Sequence, residues 1–384
     1  MIIALTPISR MSQMYSSSLK NRWQFFEQMS QWIFMLKLTE VVVNPEDVCC
    51  CDSYVDAEMH SAAAAQVLQE LVEKLSLEDT GELLLQPLGC TTSLLDHLVD
   101  AAIDTSAAEA RRRSAIKLLC FLLRRAAEPE IMCMLAPSPG GQPMPSVVPN
   151  RLFQLRERII CHIETRMPDV FRVLIAYGAP ADGADGQPAV AATVYSVYTV
   201  EQPFSSMRLL LVELLVLMVE SDEAVSIDMP VDLWRQLIAW TLKYAHNNIY
   251  HAFFYRILFA VLRCVNMHLK NKNGIVEIFY TIQLHFVYRA VLTFPPYYCR
   301  IGCRQNQEQA QRTLLQKAKF VTFLIDSFLP FPATEGDVLP KRAPAELINR
   351  AVARGLLLNC ANALRLQVRS SLPFHLQTFG QFFA

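Results

Sequence analysis

Ser205-Ser-Met-Arg-Leu-Leu-Leu-Val-Glu-Leu-Leu-Val-Leu-Met-Val-Glu220 decides the fold. At 3.6 residues per turn its apolar side chains wrap the whole circumference, and a helix of that kind has to be covered on several sides. Glu213 breaks the run between Leu209 and Val219. That leaves it short of the ~20 residues a bilayer requires, so no membrane span is expected and the cover has to come from other parts of the chain.

The flanking segments repeat the helical period. Downstream, Pro230 suits the first turn of a helix through Leu233, Trp234, Leu237, Ile238, Trp240 and Leu242. Asn247 can cap the next, through Tyr250, Phe253, Phe254, Ile257, Val261 and Val265 to a stop at Asn271 to Gly274. Arg256 and Arg263 lie inside that run, which therefore reads as a core helix. Ile275 to Phe294 follows, closed by Pro295-Pro296, then Gln305 to Leu329, closed by Pro330, and Ala345 to Val368 after Pro344.

Upstream, Ser17 to Val43 carries Trp23, Phe26, Met29, Trp32, Ile33, Met35 and Leu36 before Asn44-Pro45 ends it. Further helices are predicted over about Met59 to Lys74, Glu82 to Ile103, Ala107 to Ala127 and Arg151 to Tyr177, the last broken near Met167-Pro168. Ala136 to Asn150, with five prolines and two glycines, and Gly178 to Gln202 read as solvated loops, with Val194 to Val200 as a short extended piece.

The expectation is an all-α chain, with helix pairs recurring at about 40 residues in the manner of an irregular HEAT or armadillo-like helical-repeat solenoid. No repeat consensus is legible, and an irregular helical bundle satisfies the same pattern. The expected organisation is an N-terminal helical segment over 1–54, a first half over 55–177, a loop over 178–204 and a second half over 205–384.

Composition agrees. Of 384 residues, 52% are hydrophobic and 18% charged, so most of the chain has to be packed. The 12 glycines are too few for folds built on glycine-rich turns and phosphate loops. A formal charge of −1 supplies no field to draw the chain onto nucleic acid or an anionic bilayer. The opening Met1 to Pro7 lacks the basic lead and apolar length of a secretory signal, so a reducing, intracellular compartment is expected.

The 11 cysteines fit that compartment. Cys90, Cys120, Cys161, Cys264 and Cys360 fall singly in apolar stretches, where a free thiol acts as a small hydrophobe. Cys49, Cys50 and Cys51 are consecutive, and adjacent side chains converge poorly on one ion. Cys299 and Cys303, four apart with His285 upstream, could share a helical face, but no second ligand pair follows.

Catalytic patterns are scarce. No phosphate loop, nucleophile elbow or paired-histidine zinc helix occurs, and no catalytic, metal or cofactor residue is assigned. His60, His97, His162 and His285 lie in helical runs as ordinary imidazoles. Asp96, Asp100 and Asp104 share a solvated face, and Arg111, Arg112, Arg113, Arg124 and Arg125 form a basic region that is either solvated or met by an acidic partner. More informative are Arg208, Tyr244, His246, Asn247, Asn248 and His251, polar groups set among nearly all-apolar helices. Each has to find partners, either bridging neighbouring helices or pointing into a groove that holds another protein.

These residues carry a resemblance. Gln202-Pro-Phe-Ser-Ser-Met-Arg-Leu, an apolar helix, and then Leu242-Lys-Tyr-Ala-His-Asn-Asn-Ile-Tyr-His251 resemble the SAPS domain of protein phosphatase 6 regulatory subunits. In that family a proline-led segment ending in Thr-Arg-Leu precedes a long apolar helix, and a later segment reads Phe-Lys-Tyr-Thr-Trp-Asn-Asn-Phe-Leu-His. Arg208 matches the first, and Lys243, Tyr244, Asn247, Asn248 and His251 match the second in order and spacing. Ile278 to Leu292 resembles a third segment through Gln283, Leu284 and Arg289. The likeness covers roughly residues 55–330 and is sharp over about fifty. His246 replaces the family's tryptophan, Thr313 to Ala318 lacks its glycines, and no acidic tail precedes Ala384, which implies a divergent or shortened member.

The resemblance implies a non-catalytic scaffold. Its partners would be the catalytic subunit of a protein phosphatase 6-type (type 2A-like) serine/threonine phosphatase and, as a third component, an ankyrin-repeat subunit. It would act by tethering, with the metal ions belonging to the partner. The expected location is cytoplasmic, with the nucleus as a second compartment. Two other classes stay open: an armadillo-like adaptor for trafficking or cytoskeletal complexes, and a thiol- or metal-dependent enzyme using Cys299 and Cys303.

Overall fold

A computed structural model describes residues 35–43, 54–79, 81, 85, 88, 92–134, 145–178, 193–194, 199–200, 203–263, 304–328 and 345–371. These residues are predominantly helical with little sheet. The chain divides into two compact units, Met1–Ile163 and Glu164–Ala384.

In the first unit, α1 (Tyr54–Leu75) and α2 (Thr92–Ile103) both pack on α3 (Glu109–Ala127). The stripe predicted for α3 is the buried one: Ile116, Leu118, Leu119, Leu122 and Leu123 are all sealed, each gaining about 1.5–3 kcal/mol from leaving water. Of the arginines ahead of it, Arg113 pairs with Glu109 at 2.9 Å on the surface. Arg112, by contrast, is buried, and its Nε donates to the Ala102 carbonyl at the end of α2 at 3.3 Å. The basic face expected from sequence is thus partly committed to the fold.

The chain then forms an antiparallel hairpin, β1 (Glu130–Met134) with β2 (Pro145–Pro149). This corrects the reading of Ala136 to Asn150 as loop throughout: the prolines at 145 and 149 suggest coil, yet both occupy strand positions that need no ladder donor. Asn150 closes the hairpin. Buried at 3% exposure, it donates through Nδ2 to the carbonyls of Arg125 and Glu128, both at 2.6 Å, and accepts from Leu152 N at 3.1 Å. One side chain therefore finishes α3 and starts the 3₁₀ turn Arg151–Leu155. In α4 (Arg156–Glu164), His162 Nε2 meets Asp96 Oδ1 of α2 at 2.6 Å. Asp96 is thereby withdrawn from the predicted acidic face. Asp104 lies beyond the end of α2, where Ser106 hydrogen bonds hold its carboxyl below the usual range.

In the second unit, α5 (Met167–Ala176) begins with Pro168 in its first turn, where a missing N–H does no harm. The break predicted at Met167-Pro168 falls two residues earlier, at Thr165-Arg166. The extended piece at Val194 to Val200 is a two-residue pairing, β3 (Thr193–Val194) with β4 (Thr199–Val200). The all-round apolar helix is α6 (Ser206–Ser221), buried from Leu214 through Val219 without a gap. Its cover comes from α5, α7 (Glu223–Asp228) and α9 (Asn248–Arg263). Arg256 of α9 locks onto Glu220 of α6 with two parallel bonds, at 2.8 and 2.6 Å. Between them in sequence, α8 (Val231–Lys243) packs on α5 and α9.

The predicted helix from Gln305 to Leu329 is interrupted. α10 (Arg304–Arg312) runs into a π-turn at Thr313–Lys317, and α11 (Phe320–Phe328) starts afresh after Lys319, whose φ of 57° lies in the left-handed region. Nothing in the composition of Gln305 to Leu329 marks that reversal. α12 (Ala345–Ser371) packs on α8 and α9.

Among the predicted free thiols Cys120 and Cys360 are buried, and burial pushes the Cys360 thiol up to about 12, so it is inert at neutral pH. Cys161 is exposed, against expectation. Cys49, Cys50, Cys51, Cys90, Cys264, Cys299, Cys303 and His285, and the helix predicted over 275–294, lie outside the described residues. No helix among the described residues is long and apolar enough to cross a membrane.

Candidate functional site

The resemblance singles out residues from two segments some 36 positions apart, and the fold brings them together. Ser205 caps α6, its Oγ accepting from Arg208 N at 3.3 Å, which fixes Arg208 in the first turn. Arg208 then reaches the C-terminal end of α8, where Nη1 donates to the Tyr244 hydroxyl at 2.7 Å. Three aromatic rings surround the guanidinium, with centroids 5.6 Å (Tyr177), 6.0 Å (Trp240) and 5.8 Å (Tyr244) from its carbon. Such contacts contribute about 0.5–1 kcal/mol each at partly exposed sites. Arg208 Nε is sealed from solvent with no hydrogen-bond partner, so its surroundings are ring faces rather than an acceptor.

The turn between α8 and α9 is fixed by the matched polar residues. Tyr244 N donates to the Trp240 carbonyl and Asn247 N to the Tyr244 carbonyl, both at 2.9 Å. Asn247 Oδ1 accepts from Tyr250 N at 2.9 Å, the N-terminal cap predicted for it. His251, one turn into α9, has Nε2 3.0 Å from the Thr241 carbonyl. A carbonyl only accepts, so Nε2 carries the proton. Burial, and secondarily His246, depress the His251 pKa, while the Thr241 bond opposes them. The imidazole is therefore held neutral and works as a clasp from α9 back onto α8.

An aromatic wall lies behind this turn. Phe204 lies tilted at 36° against Tyr250, centroids 4.8 Å apart, and meets Tyr244 at 4.9 Å and Trp240 at 5.3 Å edge-on. Tyr250 is fully buried and donates its hydroxyl to the Leu237 carbonyl. Burial, then the neighbouring Tyr244, raise its pKa well above 10.0. Sequence reasoning saw Trp240 and Tyr250 only as members of helical stripes and did not single out Phe204 or Tyr177. The signal for Phe204 was the proline-led Gln202-Pro-Phe204 motif of the sequence, and its ring contacts fall at the facing ends of α8 and α9; Tyr177 had no such signal.

Of the matched residues, Arg208, Tyr244, Asn247 and His251 thus form one hydrogen-bonded corner. Lys243 is exposed, its Nζ 5.5 Å from the Tyr244 ring centroid, and Asn248 is exposed at the first position of α9. Gln283 and Arg289 lie outside the described residues. The corner's hydrogen bonds from Arg208 Nη1, Asn247 Oδ1 and His251 Nε2 go to joining and capping α6, α8 and α9, while its rim of Lys243, Asn248 and Ile249, the last 57% exposed, faces water. Among the described residues no three His, Cys, Asp or Glu side chains are placed to hold a metal ion. The chain matches no known protein family, characterised protein or solved structure.

Proposed function

We propose that the chain is a non-catalytic scaffold subunit, built from irregular helical repeats, that binds the catalytic subunit of a protein phosphatase 6-type (type 2A-like) serine/threonine phosphatase and directs it to substrates. One observation carries the reading. Arg208, Tyr244, Asn247 and His251, four of the residues that carry the resemblance to the SAPS domain, stand together at one packed corner, where Arg208 meets Tyr244 at 2.7 Å, and this supports the reading. In this reading the inner residues of the corner hold α6, α8 and α9 in place, and the exposed rim of Lys243, Asn248 and Ile249 is available to a partner. An ankyrin-repeat subunit is the expected third component, and the cytoplasm and nucleus are the expected compartments.

Co-purification from native extract tests it: the 384-residue chain should recover a type 2A-like catalytic subunit in stoichiometric amount. Recovery of a trafficking or cytoskeletal complex without phosphatase would decide for the adaptor reading.

A further inference from the structure

The hairpin β1–β2 has two unlike edges. Asn150 N donates to the Pro129 carbonyl at 2.9 Å, and these two residues continue the register in which Glu130 faces Pro149 and Met132 faces Val147. In an antiparallel ladder hydrogen-bonded and non-hydrogen-bonded pairs alternate. The pairs 131/148 and 133/146 therefore point their backbone groups inward, and 130/149, 132/147 and 134/145 point theirs outward. On the β2 edge two of the three outward nitrogens belong to Pro145 and Pro149, which have no hydrogen to give, the usual way of closing a strand edge.

The β1 edge has no such block. Glu130, Met132 and Met134 present N–H and C=O groups outward, and among the described residues no third strand pairs with that edge. Beside that edge the outward face shows Met132 at 74% and Val147 at 56% exposure, opposite one another across the hairpin.

We propose that the β1 edge pairs with β1 of a second copy of this chain, antiparallel about a twofold at Met132, to make a four-stranded sheet. The edge is self-complementary. The outward residues are evenly spaced about Met132, so Met132 faces Met132 of the second copy and Glu130 faces Met134. All three facing pairs can exchange backbone bonds, no like charges oppose each other, and the exposed Met132 side chains close over one another. A three-pair ladder makes a weak, concentration-dependent dimer rather than an obligate one. This pairing lies in the first unit and does not depend on phosphatase binding.

Sedimentation equilibrium of the whole 384-residue chain over a range of concentrations tests it. The wild type is expected to show a reversible monomer–dimer equilibrium. M132P removes an outward N–H without touching the β1–β2 ladder and should abolish the dimer. V147P, the cross-strand neighbour on the proline-closed edge, should leave it intact. M132K keeps the backbone donor but sets like charges opposite each other, and should weaken association about fivefold. Circular dichroism confirms that each variant is folded, and M132K carries the test if M132P is not. A wild type that stays monomeric throughout would overturn the proposal, as would a dimer equally sensitive to V147P or indifferent to M132K.

Discussion

Tyr244→Phe deletes one oxygen and leaves the Arg208 guanidinium without the acceptor it meets at 2.7 Å. A half-buried charged donor that loses its partner costs about 1–3 kcal/mol, so the variant should unfold at lower denaturant with an unchanged m-value. Asn247→Ala with His251→Ala removes both the cap of α9 and its clasp onto α8. The double variant should melt lower, with partner binding lost only as a consequence. Loss of phosphatase binding at an unchanged melting temperature would instead put these residues in the interface. His251 also has a pH signature. Because its folded pKa lies below 6.5, the unfolded chain takes up a proton first as pH falls. Stability should therefore be full at neutral pH, decline as pH drops through the ordinary histidine value, and level off below the folded one. Histidine 251 changed to glutamine should flatten that part of the curve, measured by denaturant unfolding across the range.

At the scale of elements, hydrophobic period was the reliable guide. It placed α3, α6, α8 and α9; Asn247 caps α9 as expected, and Pro230 marks the start of α8 from the cap position, just ahead of the first turn predicted for it, because capping chemistry is local and written in the residue type. What period could not show depended on contacts far along the chain. The strand pairing of Glu130–Met134 with Pro145–Pro149 arises across a proline-rich stretch that looks like coil. The turn at Lys319 is a left-handed residue that no glycine announces. That turn gives a prediction: Lys319→Gly relieves the positive φ and should stabilise the second unit by about 1 kcal/mol in thermal unfolding. A destabilised variant would mean that the lysine side chain itself holds the turn. Arg256→Lys, which keeps the charge but loses the fork onto Glu220, should cost about 1 kcal/mol by the same measurement.

For the whole molecule, helical class was legible in composition, since a chain with so few glycines and charges has to pack its helices against one another. The candidate site was legible in part. Arg208, Tyr244, Asn247 and His251 could be named because polar groups in apolar helices demand partners, whereas the partners themselves, Thr241 and the rings of Tyr177, Trp240 and Phe204, follow only from the packing. The same residues bear both the internal architecture and the resemblance on which the functional proposal rests, and that proposal stands or falls on one partner. Titration of a purified protein phosphatase 6-type catalytic subunit into the folded 384-residue chain, followed by calorimetry, tests it most directly. A saturable one-to-one complex is the predicted result; a folded chain that releases no binding heat and forms no complex with the catalytic subunit would contradict it.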